Sequence, residues 1–354
     1  MLIKQKLIGI LSICILIIIV ISITGCFSSN KEKSVLKVFH AGSLSGPFAE
    51  LEEEFEKKYD NIDVARESVG SADTIRKVTE LGKAADVVGS ADYTLIKSMM
   101  MENEPVFAEW YIQFAVNQLT IAYTDQSTAK SEITTENWPI IFARDDVNFG
   151  FSNPNADPCG YRALMMIQLS EKHYNLSNLF DDLIQAHSDI SVVQNGDEFT
   201  INAPENLNPD DSIMIRPKET DLIAQLEAGV LDYLIIYHSV AYQHRETDVK
   251  FIELPKEINL EDASLATEYG KVFLQQYSDQ PGKGSLVKAK PIVYGVTIPT
   301  NAEHTKEAEN FVKMLLGPEG QNILTDLGQT PIIPARASDI EMIPGSMKEL
   351  VVQE

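Results

Sequence analysis

The sequence is poor in cysteine, which excludes a disulfide-stapled scaffold. Only Cys14, Cys26 and Cys159 occur among 354 residues. Cys14 lies inside an apolar N-terminal run and Cys26, three residues after it, is a candidate for lipid attachment, so no intrachain disulfide is expected. A single remaining thiol at Cys159 in an extracellular protein is expected to be buried, either in the core or in the wall of a pocket.

Positive charge is also scarce. The chain has 29 lysines and arginines against 52 acidic residues, and a net charge of −23. Residues 1–26 contain two lysines and no acid, so the remainder carries −25. This balance excludes nucleic acid as a partner. It also repels anions at long range, so an anion site would have to use close hydrogen bonds from neutral groups, and charge alone would favour a cation ligand.

Long apolar runs are absent after the N-terminus. Residues 7–23 are mostly apolar, follow two lysines, and lead into Ile23-Thr-Gly-Cys26. This pattern predicts a signal peptide over residues 1–26 with a lipobox-like end, lipid attachment at Cys26 and a linker over 27–34. A retained membrane anchor is the alternative, since the run is nearly long enough to span a bilayer. Either reading places residues 34–354 at the extracellular face of the cell membrane.

Short β-like runs alternate with amphipathic helices, which predicts an α/β fold with largely parallel sheets. Residues 36–39, 62–65 and 85–88 each lead through a loop with serine and glycine into a helix. Two β-rich stretches, 114–123 and 291–299, are predicted to cross between lobes. We therefore expect lobe 1 over 35–117 and 298–354, lobe 2 over 118–297, and a ligand cleft between them.

Three serines follow predicted strands at helix starts, which is where proteins bind anions. The hydroxyls of Ser43, Ser71 and Ser90, together with the free N–H groups of those helix ends, would donate hydrogen bonds to an anion. Each serine alone could equally be a helix cap. Asp157 before Pro158 likewise has the pattern of a helix cap, and Glu219 would lie favourably in a first helical turn.

Two kinds of catalytic or metal pattern are missing. The six histidines are scattered without helical pairing, although His238 beside Tyr237 keeps a cation-binding protein or an extracellular metalloenzyme on the same fold open as an alternative. There is no Gly-x-Ser-x-Gly nucleophile elbow. A nucleophilic Cys159 with a histidine partner also stays open. The sequence favours a protein without catalytic function and without a cofactor.

Four segments carry a resemblance to a known family. They are Val38-Phe-His-Ala-Gly-Ser-Leu44, Asn153-Pro-Asn-Ala-Asp-Pro-Cys-Gly-Tyr161, Met214-Ile-Arg-Pro-Lys-Glu-Thr-Asp221 and Tyr237-His-Ser-Val-Ala241. Together they resemble the archaeal molybdate/tungstate-binding proteins of ABC transporters, over about residues 36–337. The blocks around Cys159 and Glu219 are specific, because solute-binding proteins in general lack them.

The resemblance implies a two-lobed periplasmic-binding-protein-like fold of type II, with two crossover strands and the oxyanion between the lobes. It implies that Asp157 and Glu219 bond directly to the molybdenum or tungsten atom and complete an octahedral centre. It further implies a monomer that delivers its oxyanion to ABC permease subunits in the membrane. The remaining ligand-binding residues that it implies are Gly42, Ser43, Ser71, Pro158, Cys159, Gly160 and Tyr237.

Direct bonding would explain why two carboxylates face a dianion. Their charges repel any oxyanion unless their oxygens bond to its central atom. Molybdenum and tungsten can expand their coordination, whereas sulfur in sulfate cannot. The pair would therefore disfavour sulfate and phosphate, which feel the repulsion without gaining the bonds.

Overall fold

The computed structural model describes residues 33–277 and 284–354. The predicted signal peptide, the lipid site at Cys26 and nearly all of the linker lie outside the described residues. Within those two ranges, no helix is both long and apolar enough to cross a membrane. The described chain folds into two α/β lobes built on three sheets.

Sixteen strands occur in the described residues. In chain order they are β1 (Ser34–Ala41), β2 (Ile62–Val69), β3 (Val87–Ser90), β4 (Ile112–Asn117), β5 (Leu119–Tyr123), β6 (Phe149–Ser152), β7 (Ser191–Asn195), β8 (Glu198–Asn202), β9 (Ile213–Arg216), β10 (Tyr233–Tyr237), β11 (Lys250–Glu253), β12 (Val272–Gln275), β13 (Leu286–Lys288), β14 (Ile292–Thr297), β15 (Thr330–Ala337) and β16 (Val351–Gln353).

Eleven α-helices occur in the same described ranges. They are α1 (Ser45–Lys58), α2 (Ser71–Thr79), α3 (Tyr93–Ile96), α4 (Trp138–Phe142), α5 (Pro158–Tyr174), α6 (Leu179–Leu183), α7 (Thr220–Glu227), α8 (His238–Gln243), α9 (Ala266–Tyr269), α10 (Thr305–Leu316) and α11 (Pro318–Asp326). A π-helical turn, Lys97–Met101, follows α3.

Lobe 1 is built on a seven-stranded sheet in the order β16-β15-β4-β14-β3-β1-β2. Its β1 pairs in parallel with β2 and β3, as expected for α/β units. Helix α1 buries Phe48, Leu51 and Phe55 at helical spacing. Phe311 of α10 packs edge-on against Phe48 at 5.7 Å between ring centroids, so the C-terminal helices complete this lobe.

Lobe 2 combines a five-stranded sheet, β11-β5-β10-β6-β9, with a four-stranded sheet, β13-β12-β8-β7. Strands β6, β9 and β10 are parallel, so their carboxyl ends share one edge of the sheet. Strands β7 and β8 pair antiparallel and form a hairpin around Gly196, as the Asn195-Gly196 turn signal predicts. Gly196 has φ +67°, a conformation that glycine adopts without strain.

Strand β4 belongs to the seven-stranded sheet and β5 to the five-stranded sheet, so the chain passes from one sheet to the other between them. The second crossing comes earlier than expected. Strand β14 pairs with β3 and β4 of the lobe 1 sheet, so residues 292–297 belong to lobe 1 and not to lobe 2. The sequence of residues 292–297 does not show which sheet the strand joins, because its pairing partners are distant in sequence.

Some element boundaries also differ from the sequence-based expectation. The third strand begins at Val87, where its pairing with β1 starts, and not at Ala85. Strands β15 and β16 follow α11 and extend the lobe 1 sheet, where helical periodicity alone would end the chain on α10 and α11. Strand β15 owes its place to pairing with β4, which lies far away in sequence, and β16 then pairs with β15.

Candidate functional site

Two predicted serines lie on lobe 1 where it meets lobe 2. Ser43 occupies a short 3-10 turn, Gly42–Leu44, directly after β1. Ser71 is the first residue of α2. Both are buried at the boundary between the lobes. The contact is direct, because Ala72 donates its backbone N–H to the carbonyl of Ala156 in lobe 2 at 3.2 Å.

Asp157 is the N-cap of α5, as the sequence predicted. One of its carboxylate oxygens accepts from the N–H of Cys159 at 3.3 Å. The other accepts from the N–H of Glu219 at 3.0 Å. A single buried carboxylate therefore joins the start of α5 to the residue just before α7.

Glu219 is the most unusual residue of the site. It is 0% exposed, and neither of its carboxylate oxygens has a hydrogen-bond partner in the described structure. Burial, followed by the charge of Asp157, raises the pKa of Glu219 well above its usual range. A buried carboxylate without partners is costly, which marks a place where a bound group could supply the missing interaction.

Gly42 brings the two lobes close together at Glu219. A Cβ atom at Gly42 would lie 3.1 to 3.3 Å from the carboxylate atoms of Glu219. The lobe 1 turn that carries Ser43 thus contacts the lobe 2 carboxylate directly. The loop before Ser71 is equally close, since a Cβ at Gly70 would lie 3.1 Å from the Cβ of Asp157.

The start of α5 supplies three further predicted residues, Pro158, Cys159 and Gly160. Pro158 occupies the first helical turn, where a missing N–H is tolerated. Cys159 is fully buried, and burial together with the charges of Glu219 and Asp157 raises the pKa of its thiol. The thiol is therefore held protonated, which suits a pocket wall and not a nucleophile.

Tyr237 ends β10 and lies among buried polar groups from both lobes. Its hydroxyl accepts a hydrogen bond from Arg162 of α5 at 2.6 Å. Arg162 also donates to the carbonyl of Ala91 in lobe 1 at 2.8 Å. The N–H of Ala91 in turn donates to the hydroxyl of Ser71 at 2.9 Å. Tyr237 and Ser71 are thus linked across the lobes through two intervening residues.

Sequence reasoning missed a buried charge cluster beneath these residues. Asp92 of lobe 1 forms ion pairs with Arg162 at 3.1 Å and with Lys290 at 3.1 Å, and it accepts from the Tyr161 hydroxyl at 2.7 Å. Burial opposes ionisation, but the charges of Lys290 and Arg162 hold the pKa of Asp92 well below its usual range. Isolated charged residues in a sequence give no sign that they are buried or paired.

Two residues considered from the sequence lie in other roles. The hydroxyl of Ser90 donates to the carbonyl of Asp92 at 2.7 Å, so it stabilises its own loop. His238 contacts Glu253 at 3.3 Å and packs edge-on against Phe251. Among residues 33–277 and 284–354, no group of three or more histidine, cysteine, aspartate or glutamate side chains is arranged to hold a metal ion.

Residues 36–329 match the family of bacterial extracellular solute-binding proteins. The chain belongs to this family. A solute-binding protein of Methanococcus maripaludis is 44% identical to it, over 94% of this chain and 99% of the relative. The molybdate/tungstate-binding protein WtpA of Thermococcus kodakarensis is 41% identical, over 98% of this chain and 97% of the relative.

Solved structures show the same fold as this solute-binding protein. The periplasmic molybdate-binding protein of Azotobacter vinelandii matches with a TM-score of 0.57 at 16% identity, covering 83% of this chain and 98% of that one. The sulfate-binding protein SubI of Mycobacterium tuberculosis matches with a TM-score of 0.55 at 12% identity, covering 84% and 87%. At such low identity these likenesses concern the two-lobed fold alone, which agrees with the predicted fold class.

Proposed function

We propose that this solute-binding protein captures molybdate or tungstate between its lobes and delivers the oxyanion to an ABC importer. The observation that carries the proposal is the buried pair Asp157 and Glu219, which faces the serine turn of lobe 1 at Gly42. The 41% identity to a protein named for binding molybdate and tungstate supports the same ligand. The resemblance of the Asp157 and Glu219 segments to that family agrees with it.

The two carboxylates would act as ligands of the central metal atom. Four oxygens of a tetrahedral oxyanion and one oxygen from each carboxylate make six ligands, which is an octahedral set. Glu219 has both oxygens buried without partners, so bonding to a metal atom would relieve an existing cost. Sulfate would meet the same negative charges without gaining bonds.

The oxygens of the anion would receive hydrogen bonds from neutral groups. Ser43 and Ser71 would donate from lobe 1, and Tyr237 would donate from lobe 2. Cys159 and Gly160 would line the pocket, since their N–H groups donate to the carboxylate and the carbonyl of Asp157. Pro158 has no N–H and would contribute contact alone. Ligand bonds to both lobes would hold them together, and the closed monomer would then dock on its membrane permease. In this proposal, Cys26 or the N-terminal segment tethers the protein to the outer face of the membrane.

Isothermal titration of residues 34–354 with tungstate, molybdate and sulfate tests the proposal. Wild-type protein should bind tungstate or molybdate tightly, one per chain, and should not respond to sulfate. Asp157→Ala and Glu219→Ala should each weaken tungstate binding by about a hundredfold, since a buried ligand bond is lost. Each should also reduce the difference between the affinities for tungstate and for sulfate. Glu303→Ala, at an exposed ion pair with Lys37, is the matched control.

Each other outcome has a defined meaning. Equal binding of sulfate and tungstate by wild type would refute coordination by the carboxylates. Unchanged tungstate affinity in both alanine variants would do the same. A wild-type protein that binds none of the three anions would refute the proposed ligand.

A further inference from the structure

The three hydroxyl groups of the proposed site each accept a hydrogen bond from a group behind them. Ser71 accepts from the backbone N–H of Ala91, and Tyr237 accepts from the guanidinium of Arg162. Neither donor can act as an acceptor, so the direction of both bonds is fixed. In the described residues neither hydroxyl donates to another protein group, so each O–H hydrogen is left for a ligand.

The Ser43 hydroxyl also accepts a hydrogen bond from behind, through a chain of hydrogen bonds that runs from Asn117 through Tyr294 to Ser43. The side-chain carbonyl of Asn117 accepts from the N–H of Gln118 at 2.9 Å and from that of Ser239 at 3.4 Å. These backbone donors fix the orientation of the amide, so its NH2 group points the other way. That NH2 group donates to the Tyr294 hydroxyl at 2.9 Å.

The direction of the last bond follows from the one before it. The Tyr294 oxygen accepts from Asn117, whose NH2 group cannot accept in return, so among the described residues the acceptor for the Tyr294 hydrogen is Ser43, 2.9 Å away. The Ser43 oxygen is thereby an acceptor from behind, and its hydrogen is free to face the cleft. Tyr294 and Asn117 are both buried, so water does not compete for these positions.

We propose that Asn117 and Tyr294 are positioning residues that turn the Ser43 hydroxyl into a hydrogen-bond donor toward the bound anion. Arg162 orients the Tyr237 hydroxyl in the same way, and the N–H of Ala91 orients that of Ser71, so that both donate toward the anion. The inference rests on the proposed function, because a fully deprotonated oxyanion presents acceptor atoms alone. With every hydroxyl fixed as a donor, binding needs no reorientation of the site, and affinity rises accordingly.

A double-mutant cycle on Tyr294 and Ser43, read by titration with tungstate, tests this inference. Ser43→Ala removes the donor and should weaken binding by about thirtyfold, as for a hydrogen bond to a charged group. Tyr294→Phe leaves the Ser43 hydroxyl unoriented and should weaken binding by about fivefold. Because Tyr294 acts through Ser43, the double variant should bind no more weakly than Ser43→Ala alone.

Tyr269→Phe is the matched control for the loss of a buried phenol hydroxyl. The Tyr269 hydroxyl donates to the carbonyl of Lys256 in lobe 2. Among the described residues, it forms no hydrogen bond with Ser43, Ser71 or Tyr237. This variant should keep wild-type tungstate affinity. Thermal unfolding of all variants checks that each is folded, and if Tyr294→Phe is not, Asn117→Ala replaces it in the cycle with the same expected coupling.

The outcomes separate the two proposals. The positioning role would be overturned if the fold-losses in affinity of the two single variants multiplied in the double variant, or if Tyr294→Phe kept wild-type affinity. In either case, tungstate binding by the wild-type protein would still support the proposed function. A wild-type protein that binds neither tungstate nor molybdate overturns both.

Discussion

His40 is a fully buried titratable residue next to the site. It lies in β1, two residues before Gly42, and its Nδ1–H donates to the carbonyl of Ala41 at 2.8 Å. Its other ring nitrogen has no partner in the described structure. Burial, with smaller effects from Arg66 and Lys218, lowers the pKa of His40 to about 4. The folded protein therefore keeps this imidazole neutral.

This burial predicts a loss of stability in mild acid. The unfolded chain binds a proton at His40 below a pKa of about 6.5, whereas the folded chain does so only below about 4. Stability is thus complete above pH 6.5 and falls as the pH drops from about 6.5 to 4, by up to about 3 kcal/mol. Urea unfolding at several pH values in this window measures the slope.

His40→Asn isolates this contribution from that of other groups. The variant should lose stability less steeply between pH 6.5 and 4 than wild type, even if it is less stable at pH 7. His173→Asn, at an exposed histidine of α5, should keep the wild-type slope. Parallel slopes for wild type and His40→Asn would show that His40 is not held neutral.

At the scale of single elements, the start of α5 sets the geometry of the site. The helix begins where it does because Asp157 caps it and Pro158 suits its first turn. Gly160 then allows the helix to approach β6 closely, since a Cβ there would lie 2.0 Å from the carbonyl oxygen of Ser152. The nearest atoms are backbone atoms of Ser152 and Asn153, so no flexible side chain can move aside to make room for a Cβ.

Gly160→Ala is therefore expected to destabilise the protein by about 1–3 kcal/mol or more, because α5 must shift to avoid the clash. It should also weaken tungstate binding, since Asp157 moves with the helix. Thermal unfolding and titration measure both effects. Gly345→Ala is the control, as a Cβ at Gly345 meets nothing within 4 Å. A Gly160→Ala variant as stable as wild type would show that the close approach is relaxed in solution.

At the scale of the whole molecule, the buried cluster of Asp92, Arg162 and Lys290 joins the two lobes. Asp92 comes from lobe 1 and Arg162 from lobe 2, so their ion pair exists only when the lobes are together. Removing one partner of a buried pair leaves the other charge without compensation, which is strongly unfavourable. The closed arrangement should therefore depend on this cluster.

Asp92→Asn is expected to shift the protein toward open lobes, where Arg162 can be hydrated. Tungstate affinity should fall by about tenfold or more, because part of the binding energy must then close the lobes. Asparagine still suits the N-cap position of α3, so the helix itself should survive. Small-angle scattering of the ligand-free protein should show a larger radius of gyration than wild type.

Glu303→Gln is the control for loss of a carboxylate charge, because its ion pair with Lys37 is exposed and lies within lobe 1. It should leave both affinity and scattering unchanged. If Asp92→Asn binds tungstate as wild type does, the cluster has no part in closure.

Much of the architecture could be read from the sequence because it depends on near neighbours. The cap at Asp157, the hairpin at Gly196 and the first crossing between β4 and β5 follow from local patterns and turn chemistry. The same holds for the pairing of β1 with β2, since short strands alternating with helices favour parallel units. Of the residues that the four short segments pointed to, the structure brings Gly42 and Asp157 close to Glu219.

The sequence by itself determined the α/β order, the helix starts that frame the cleft and the scarcity of positive charge. The tertiary structure alone decided that β14 belongs to lobe 1, that Glu219 is buried without partners, and that Asn117 and Tyr294 stand behind Ser43. The reason is physical. Caps and turns are settled within a few residues, whereas burial, strand pairing and hydrogen-bond direction depend on groups that folding brings together from more than a hundred residues apart.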